Sequence, residues 1–433
     1  MGTIIDLTIE RITLDASKNS MGIDHGPLFQ DGDLARRRAE AEDSYSWFGV
    51  SQDAGDPLRE AAFARPLSRV LPRLDLLGHT LEAARAEYED LVRQSAEFDE
   101  NDDPPPPYMT FDEFSTFCCR YPVSTLSHAT IVCDEPDRDQ LAQGRFARLA
   151  GEIDLIPRPD FQTEAYWSEA SFFGDRMFVL SPYSMLQVLG QSEANADAEV
   201  MWLFGPLCEN GWEDAASFVP GARREQELLI ATEGTTDSRI IRRALQVIQP
   251  DVADFFRFID VDERHHFWGT GNLVKFAEGL VRIDVQNKVI FLLDNDAEGV
   301  DAFRRLQSLG MPGNMRAMVL PRHEAFESFP ARGPQGVTTC DINGQAAAIE
   351  CYLDLDLPGR PPAQIVWSNY KRDLDTWQGA LEHKESYMRH FFDQPDEALV
   401  EGNYDTSKLR AVLAALLQEA TSLSCSLDGR PAS

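Results

Sequence analysis

The sequence lacks the long apolar run that a membrane-spanning helix needs, because no apolar stretch reaches about 18–20 residues. Its first residues, MGTIIDLTIERITLD, carry early acidic side chains and no long apolar core, so they do not resemble a secretory signal. Position 6 is Asp6, where the N-myristoylation pattern requires Ser or Thr. We therefore expect a cytoplasmic protein that does not associate with membranes.

The sequence also lacks any CxxC pair. It contains seven cysteines, an odd number, and none has the spacing of a zinc ribbon or a redox dithiol. Small, unpaired thiols of this kind are typical of buried positions in proteins of a reducing compartment. We expect the cysteines to be reduced and mostly buried.

Positive charge is scarce as well. The chain has 72 Asp and Glu against 40 Lys and Arg, which gives a formal net charge of −32. Non-specific coating of DNA requires clustered Lys and Arg, so the composition argues against it. A local channel can still be basic, and metal ions neutralise part of an acidic site. The charge therefore weakens the hypothesis of a nucleic-acid substrate without excluding it, and it suits protein partners at least as well.

A chain of 433 residues is expected to form two or more domains, and we find no internal repeat. In the first half, TIIDLTI and ITLD predict strands or a hairpin. Apolar residues recur at helical spacing from Ser68 to about Ala96, and Thr110 with Glu113 predicts a capping box that begins a further helix. The prolines at the end of the stretch from Glu97 to Pro107 predict an exposed loop. These patterns favour an α+β N-terminal domain.

From Glu227 onward the pattern alternates between strand and helix. The predicted strands are ELLIATEG, DFFRFIDVD, KVIFLLDND and RAMVLP, and the helices between them are TDSRIIRRALQVI, LVKFAEGLVRI and AEGVDAFRRLQSLG. Such alternation predicts βαβ units and a parallel sheet. We place the domain boundary near Pro220–Arg224, which gives domains of residues 1–222 and 223–433.

Acidic residues follow two of these strands directly. Glu233 ends the first strand, and Asp294 and Asp296 come at the end of KVIFLLDND. Because an open α/β sheet presents its ligands at the carboxyl ends of its strands, we expect the three carboxylates to converge. Clustered carboxylate oxygens suit Mg²⁺ or Mn²⁺, and the natural chemistry of such an ion is on a phosphodiester.

The order of a strand-end Glu, a glycine loop and a later Asp-x-Asp resembles the Toprim domain. This domain is shared by topoisomerases, bacterial primases, small ribosomal-RNA maturases and overcoming-lysogenization-defect nucleases. On this resemblance Glu233 in TEGTTD matches the family glutamate, and Asp294 and Asp296 in LLDNDAEG match its DxD. Gly269 and Gly271 in GTGN stand where these domains carry their glycine loop. The resemblance covers roughly residues 227–350 and implies a Rossmann-like parallel sheet flanked by helices, followed by a C-terminal helical extension.

The resemblance also points to residues outside these motifs. Glu350, in QAAAIECYL, stands where the later helix of such nucleases carries an acid that completes the metal site, although a solvated helix glutamate fits the pattern equally. Lys384, in WQGALEHKESY, stands where they place a lysine that neutralises the transition-state phosphate; the alternative is a surface lysine. Asp237 either supports the metal ligands or caps a helix beginning at Ser238. Glu298 is expected to serve the first turn of its helix through the macrodipole.

The first 29 residues, MGTIIDLTIERITLDASKNSMGIDHGPLF, resemble the module that bacteria attach to HEPN ribonuclease domains or to Toprim domains. Proteins of this type are suspected of acting in defence against phage. The Arg-x4–6-His pair of HEPN ribonucleases does not stand out, so the chain resembles the Toprim-bearing version. A polar cluster in this module either forms a binding site or, as we favour, makes loop-stabilising hydrogen bonds; it comprises Asp15, Lys18, Asn19, Asp24 and His25.

The resemblance implies a nuclease that cleaves DNA or RNA with Mg²⁺ or Mn²⁺ held by Glu233, Asp294, Asp296 and Glu350, with Lys384 as a further catalytic residue. Glu233 can alternatively act as the general acid or base. Since about 80 residues follow Glu350, too few for strand-gating domains, we do not expect a topoisomerase; because no zinc-ribbon spacing is present, we do not expect a primase either.

Two other functions remain open at this stage. One is a non-catalytic sensor in which the N-terminal domain binds a protein partner and the acidic cluster binds a metal only to change conformation. The other is an RNA-maturation nuclease with one narrow substrate. The sequence leaves the choice between DNA and RNA open, as well as whether the protein forms a homo-oligomer.

Overall fold

The chain divides into two compact units, Met1–Ala222 (unit 1) and Arg223–Gly429 (unit 2), and each is described by itself. Most of the predicted loop from Glu97 to Pro107 lies outside the residues that are described, and so does Cys133. The computed structural model describes residues 2–37, 58–98, 107–131, 137–158, 166–259, 269–357 and 359–427.

Unit 1 contains a five-stranded antiparallel sheet with strand order β2-β1-β5-β4-β3. Its strands are β1 (Ile4–Ile9), β2 (Ile12–Lys18), β3 (Leu34–Arg36), β4 (Ala61–Pro66) and β5 (Glu199–Leu203). The predicted hairpin at the start of the chain is confirmed, since β1 pairs antiparallel with β2. Alternate residues of β1, among them Ile5, Leu7 and Ile9, are buried, which is the period-2 pattern of a strand with one face on the core.

The described part of unit 1 also contains the helices α1 (Leu67–Leu76), α2 (Leu81–Phe98), α3 (Phe111–Cys119), α4 (Arg138–Gln143), α5 (Ala150–Ile153), α6 (Glu169–Met177), α7 (Pro182–Leu189) and α8 (Gly205–Glu209). The helical spacing noted from Ser68 to about Ala96 corresponds to two helices, α1 and α2, with a break in the chain between them. Gly78 in that break has a φ of +82°, a left-handed conformation that glycine adopts at little cost. The apolar spacing continues across the break because residues of both helices pack on one core.

The predicted capping box at the start of α3 is confirmed. The Thr110 N–H donates to Glu113 Oε2 over 2.8 Å, and the Glu113 N–H donates to Thr110 Oγ1 over 3.3 Å. Two backbone donors that the helix leaves free are thereby satisfied reciprocally.

Unit 2 contains a parallel sheet with strand order β10-β8-β6-β7, which confirms the predicted parallel arrangement. Its strands are β6 (Leu228–Thr232), β7 (Phe256–Phe258), β8 (Lys288–Leu293) and β10 (Met315–Val319). The connecting helices are α9 (Thr235–Ile248), α10 (Thr270–Arg282) and α11 (Ala297–Ser308). Strand β7 begins later than DFFRFIDVD predicts, because Pro250–Phe255 forms a 3₁₀ turn.

A second, mixed sheet follows in unit 2, with strand order β12-β11-β14-β15. Its strands are β11 (Phe329–Gly333), β12 (Gly336–Cys340), β14 (Ile365–Lys371) and β15 (Thr376–Leu381). A short antiparallel pair joins β9 (Asn295–Asp296) to β13 (Ala346–Ala347). Three helices end the unit: α12 (Lys384–Asp393), α13 (Asp396–Glu401) and α14 (Ser407–Leu427). The expected helical extension is thus preceded by a sheet that the sequence patterns did not predict.

None of the described helices is both long enough and apolar enough to cross a membrane. The six cysteines within the described ranges all carry free thiols, and four of them are buried.

Candidate acidic active site

Glu233 and Asp294 lie side by side at the carboxyl edge of the parallel sheet. Strands β6 and β8 are neighbours, and Thr232 pairs with Leu292, so the residues that follow them leave the sheet together. Oε1 of Glu233 accepts a hydrogen bond from the Asp294 N–H over 3.1 Å. The convergence expected from the two strand ends is therefore present in the structure.

Two contacts fix Asp294 at the end of β8. Its Oδ1 accepts a hydrogen bond from the Ile349 N–H over 3.0 Å. Gly299, in the first turn of α11, approaches so closely that a Cβ at this position would lie 2.1 Å from the Asp294 carbonyl oxygen. Only glycine allows this approach, so the start of α11 packs directly against the strand end that carries Asp294.

Asp296 has both carboxylate oxygens engaged. Its Oδ1 accepts from the Gly299 N–H over 2.8 Å, which makes Asp296 the N-cap of α11. Its Oδ2 accepts from Nε2 of Gln378, on β15, over 2.6 Å. Its backbone pairs with Ala346 of β13. The second acid of the DxD is therefore held by a helix, by β13 and by the mixed sheet.

Glu350 and Lys384 form an ion pair beside these acids. Glu350 does not lie in a helix as predicted; it lies in a single 3₁₀ turn, Ile349–Tyr352, because the preceding residues pair as β13. Its side chain is buried, and Oε1 accepts from Lys384 Nζ over 3.2 Å. Lys384 is the first residue of α12. Both residues are thus brought to the cluster, Glu350 through the turn whose Ile349 N–H binds Asp294.

Asp237 is not the N-cap of a helix beginning at Ser238. Helix α9 begins earlier, at Thr235, with Gly234 as its N-cap. Asp237 is the third residue of the helix, and its Oδ2 accepts from the Gly234 N–H over 3.0 Å. Partial burial, and next the charge of Glu350, raise the pKa of Asp237 to about 7. Asp237 therefore both caps the helix and adds a carboxylate to the cluster.

The acids of the cluster destabilise one another's charged forms. Partial burial and then the nearby Asp296 carboxylate raise the pKa of Glu233 to about 8. Burial, followed by the charges of Asp237 and Glu233, raises the pKa of Asp294 well above its ordinary value. The pKa of Asp296 is raised too, chiefly by burial. Burial alone would lower the pKa of Lys384, but the Glu350 carboxylate outweighs it and raises that pKa. The cluster thus carries more negative charge than its lysine offsets.

The remaining motif residues support the site from its edge. Gly269 is the N-cap of α10 with a φ of +87°, and its N–H donates to the Glu233 carbonyl over 3.2 Å. Gly271 lies inside the first turn of α10, so the glycine loop ends earlier than GTGN suggests. Glu298 lies in the first turn of α11, as expected, and pairs with Lys371 of β14.

The cluster offers hard oxygen donors. Glu233 Oε2 and Asp294 Oδ2 accept no hydrogen bond from any residue that the structure describes. Among those residues, no group of three or more His, Cys, Asp or Glu side chains stands in an arrangement that could hold a metal ion. In donor chemistry and unbalanced negative charge, the residues fit Mg²⁺ or Mn²⁺.

One polar side chain of this site was missed by the sequence analysis. Gln378 contacts Asp296 from β15, within the hairpin of β14 and β15. Gln378 is placed by a sheet whose strands mix polar and apolar residues, and no sequence motif predicted its contact with Asp296.

The polar cluster of the N-terminal module lies in unit 1 and makes hydrogen bonds that stabilise local structure. The buried His25 bonds through Nε2 to Asp15 Oδ2 over 3.1 Å and through Nδ1 to the Tyr183 hydroxyl over 2.8 Å. Asn19 and Asp24 accept backbone N–H groups over 2.8 and 3.0 Å. This arrangement agrees with the favoured interpretation of the cluster as a structural element.

Comparison with known proteins identifies unit 1. No curated protein and no solved structure matches the chain. The sequence model of HEPN/Toprim N-terminal domain 1 matches residues 1–226, just over half of the 433 residues. The match spans all of unit 1 and ends before the first strand of the parallel sheet in unit 2. The chain therefore belongs to the HEPN/Toprim N-terminal domain 1 family.

Proposed function

We propose that unit 2 is a Toprim domain and that the protein is a Mg²⁺-dependent nuclease acting on phosphodiester bonds of DNA or RNA. The observation that carries this proposal is the contact between Glu233 and Asp294 at the carboxyl edge of the parallel sheet, with Asp296 and Glu350 close by. Membership of unit 1 in a family whose description names Toprim supports it. Carboxylates with strongly raised pKa values at a sheet edge are typical of functional sites.

Glu233, Asp294 and Asp296 would hold one or two Mg²⁺ or Mn²⁺ ions, with Glu350 completing the set. An ion bound there supplies a water of lowered pKa and stabilises the leaving oxygen of an in-line displacement. The raised pKa values describe the acids without such an ion, which would compensate their charge.

The chain's own residues have two further roles. As an alternative to binding the ion, Glu233, with a pKa of about 8, is protonated at neutral pH and in that form can give a proton to the leaving oxygen; only its deprotonated form can take a proton from water. Lys384 is 45% exposed and charged, and its ammonium group stabilises negative charge that develops on a phosphate beside Glu350.

The test is incubation of the purified protein with supercoiled plasmid and with total tRNA, each with Mg²⁺, with Mn²⁺ and with EDTA. We expect cleavage of one polymer that stops in EDTA, and the polymer that is cut identifies the substrate class. Equal cleavage with EDTA would contradict the proposed metal site.

A second candidate is a non-catalytic switch, in which the cluster binds a metal only to change conformation. It is favoured by the hydrogen bonds that already occupy Glu233 Oε1, Asp294 Oδ1 and both oxygens of Asp296. A switch binds Mn²⁺ but cleaves neither polymer, whereas a nuclease both binds Mn²⁺ and cleaves its substrate. An RNA-maturation enzyme is distinguished by one narrow substrate and no toxicity on expression.

The biological setting that we propose is defence against phage, with unit 1 binding a protein partner that regulates unit 2. The support is the resemblance of the N-terminal module to those of suspected defence proteins. Phages are expected to form fewer plaques on bacteria that express the wild type than on bacteria that express the Asp294→Ala variant. Equal plaque numbers across a broad phage panel would contradict this setting.

A further inference from the structure

Gln378 reaches the acidic cluster from outside the stretch that resembles a Toprim domain. It lies on β15, opposite Asn369 of β14, in the hairpin of these two strands. Its Nε2 donates to Asp296 Oδ2 over 2.6 Å. Since the Gly299 N–H holds the other oxygen, Gln378 determines the rotation of the Asp296 carboxylate.

The other end of the same amide lacks a hydrogen-bond partner in the part of the chain that the structure describes. Gln378 Oε1 is buried and accepts no hydrogen bond from any residue within the described ranges. A buried carbonyl oxygen without a donor is costly, and such atoms in native structures call for a water or an ion. Because Oε1 and Nε2 belong to one planar amide, the unpartnered oxygen lies beside the acidic cluster.

We propose that Gln378 is a positioning residue of the metal site: its Nε2 holds Asp296, and its buried Oε1 would accept a hydrogen bond from a water at that site. This inference rests on the proposed function, because it requires that Asp296 binds a divalent ion. Groups that hydrogen-bond to metal ligands orient them and change metal affinity or activity about 10- to 100-fold when they are removed. The mixed sheet thereby contributes to a site whose ligands come from the parallel sheet.

A simpler role for Gln378 is to attach the hairpin to β9. The two roles differ in one measurable quantity, which is the affinity of the folded protein for metal. An attachment that affects only stability leaves the Kd for Mn²⁺ unchanged at a temperature well below unfolding. A positioning role changes that Kd even in a fully folded variant.

The experiment measures the Kd for Mn²⁺ by calorimetric titration of the full chain without substrate. Gln378→Met keeps the length of the side chain and removes both its donor and its acceptor. We expect this variant to bind Mn²⁺ about 10- to 100-fold more weakly than the wild type. The matched control is Asn369→Ala, which removes an exposed amide from the facing strand and leaves Asp296 untouched; its Kd is expected to equal that of the wild type.

The failure of this inference is distinguishable from the failure of the proposed function. Wild type that binds no Mn²⁺ overturns both. Wild type that binds Mn²⁺, together with a Gln378→Met variant of the same Kd within about twofold, overturns the role of Gln378 and leaves the metal site in place. Circular dichroism establishes that each variant is folded, and Gln378→Ala serves the same comparison if the methionine variant does not fold.

Discussion

Three ion pairs of unit 1 and the acidic cluster of unit 2 differ in how their buried charge is compensated. In unit 1, Arg65 pairs with Asp33, Glu169 with Arg145, and His25 with Asp15. In unit 2, Glu233, Asp237, Asp294 and Asp296 gather at one sheet edge. Compensated charge of the first kind fixes a loop or a helix in place. Uncompensated charge of the second kind is relieved by protonation or by a bound cation, so the difference separates structural polar groups from the proposed metal site.

The largest expected effect is a loss of Mg²⁺-dependent cleavage when an acid of the cluster is removed, whereas removal of a surface acid of the same unit has no such effect. Asp294→Ala removes a carboxylate oxygen that no donor among the described residues occupies, and we expect it to lower Mg²⁺-dependent cleavage by at least about 10²–10³-fold. Initial rates on the polymer that the wild type cuts measure the loss.

The control for this variant is Asp301→Ala, on α11, where Asp301 pairs with Arg305 on the helix surface. It is expected to keep wild-type activity. Full activity in a folded Asp294→Ala variant would sink the assignment of the cluster as the active site.

The second expected effect is a fall in stability with rising pH in the metal-free protein. A carboxyl group with a raised pKa in the folded state binds a proton that the unfolded state releases. The stability from the protonated Glu233 is therefore present in full below the unfolded-state pKa near 4.5 and is lost as the pH rises to about 8. We expect the free energy of unfolding to decrease by on the order of 3 kcal/mol between pH 5 and pH 8.

Urea denaturation in EDTA at several pH values measures this dependence. Saturating Mg²⁺ or Mn²⁺ is expected to flatten it, because the ion compensates the same charges. A metal-free profile that rises toward pH 8 would contradict the proposed mutual repulsion of the acids.

Replacing a buried carboxylate by its amide is expected to change the free energy of unfolding in opposite directions in the two units. Asp294→Asn removes a carboxyl group whose pKa is raised by burial and by the charges of Asp237 and Glu233, so it is expected to raise the metal-free free energy of unfolding at pH 8. Burial raises the pKa of Glu169, but Arg145 and backbone N–H groups bind its charged form and lower the pKa overall. Glu169→Gln is therefore expected to lower the free energy of unfolding by about 2 kcal/mol.

Both variants are compared with the wild type by urea denaturation at pH 8 in EDTA. Stabilisation by both, or destabilisation by both, would remove the distinction between the two units.

The smallest effect is expected at a pair on the edge of the cluster. Lys371→Ala breaks the ion pair with Glu298, whose side chain is 47% exposed. Such pairs contribute about 0–1 kcal/mol, so the thermal midpoint is expected to shift by no more than a few degrees. A large loss of activity here would place Glu298 among the functional acids.

The sequence indicates the acidic edge well because parallel strands are buried on both faces. Strands β6 and β8 read as continuous apolar runs, and each run stops where Glu233 or Asp294 begins. The positions of those acids therefore follow from local sequence. The hairpin of β1 and β2 is readable for a related reason, since its alternation matches one buried face.

The parts that sequence did not indicate depend on pairing between distant segments. Glu350 lies in a 3₁₀ turn because Ala346 and Ala347 pair with β9, about fifty residues earlier, and no local pattern encodes that pairing. Strands β14 and β15, IVWSNYK and TWQGAL, mix polar and apolar residues without clean alternation. The strand that carries Gln378 therefore cannot be recognised from the sequence. Asp237 was placed at the wrong helical position because Gly234, which has no side-chain oxygen, is the N-cap.

The hydrogen bond from the Gly299 N–H to Asp296 Oδ1 gives the cluster a built-in spectroscopic reporter. That amide belongs to the first turn of α11 and contacts the carboxylate directly, so a change of charge on Asp296 alters the electric field at its proton. In an NMR titration with a divalent ion, the Gly299 resonance would shift in proportion to the fraction bound. Occupancy would then be readable in a protein that cleaves nothing, before its natural polymer is identified.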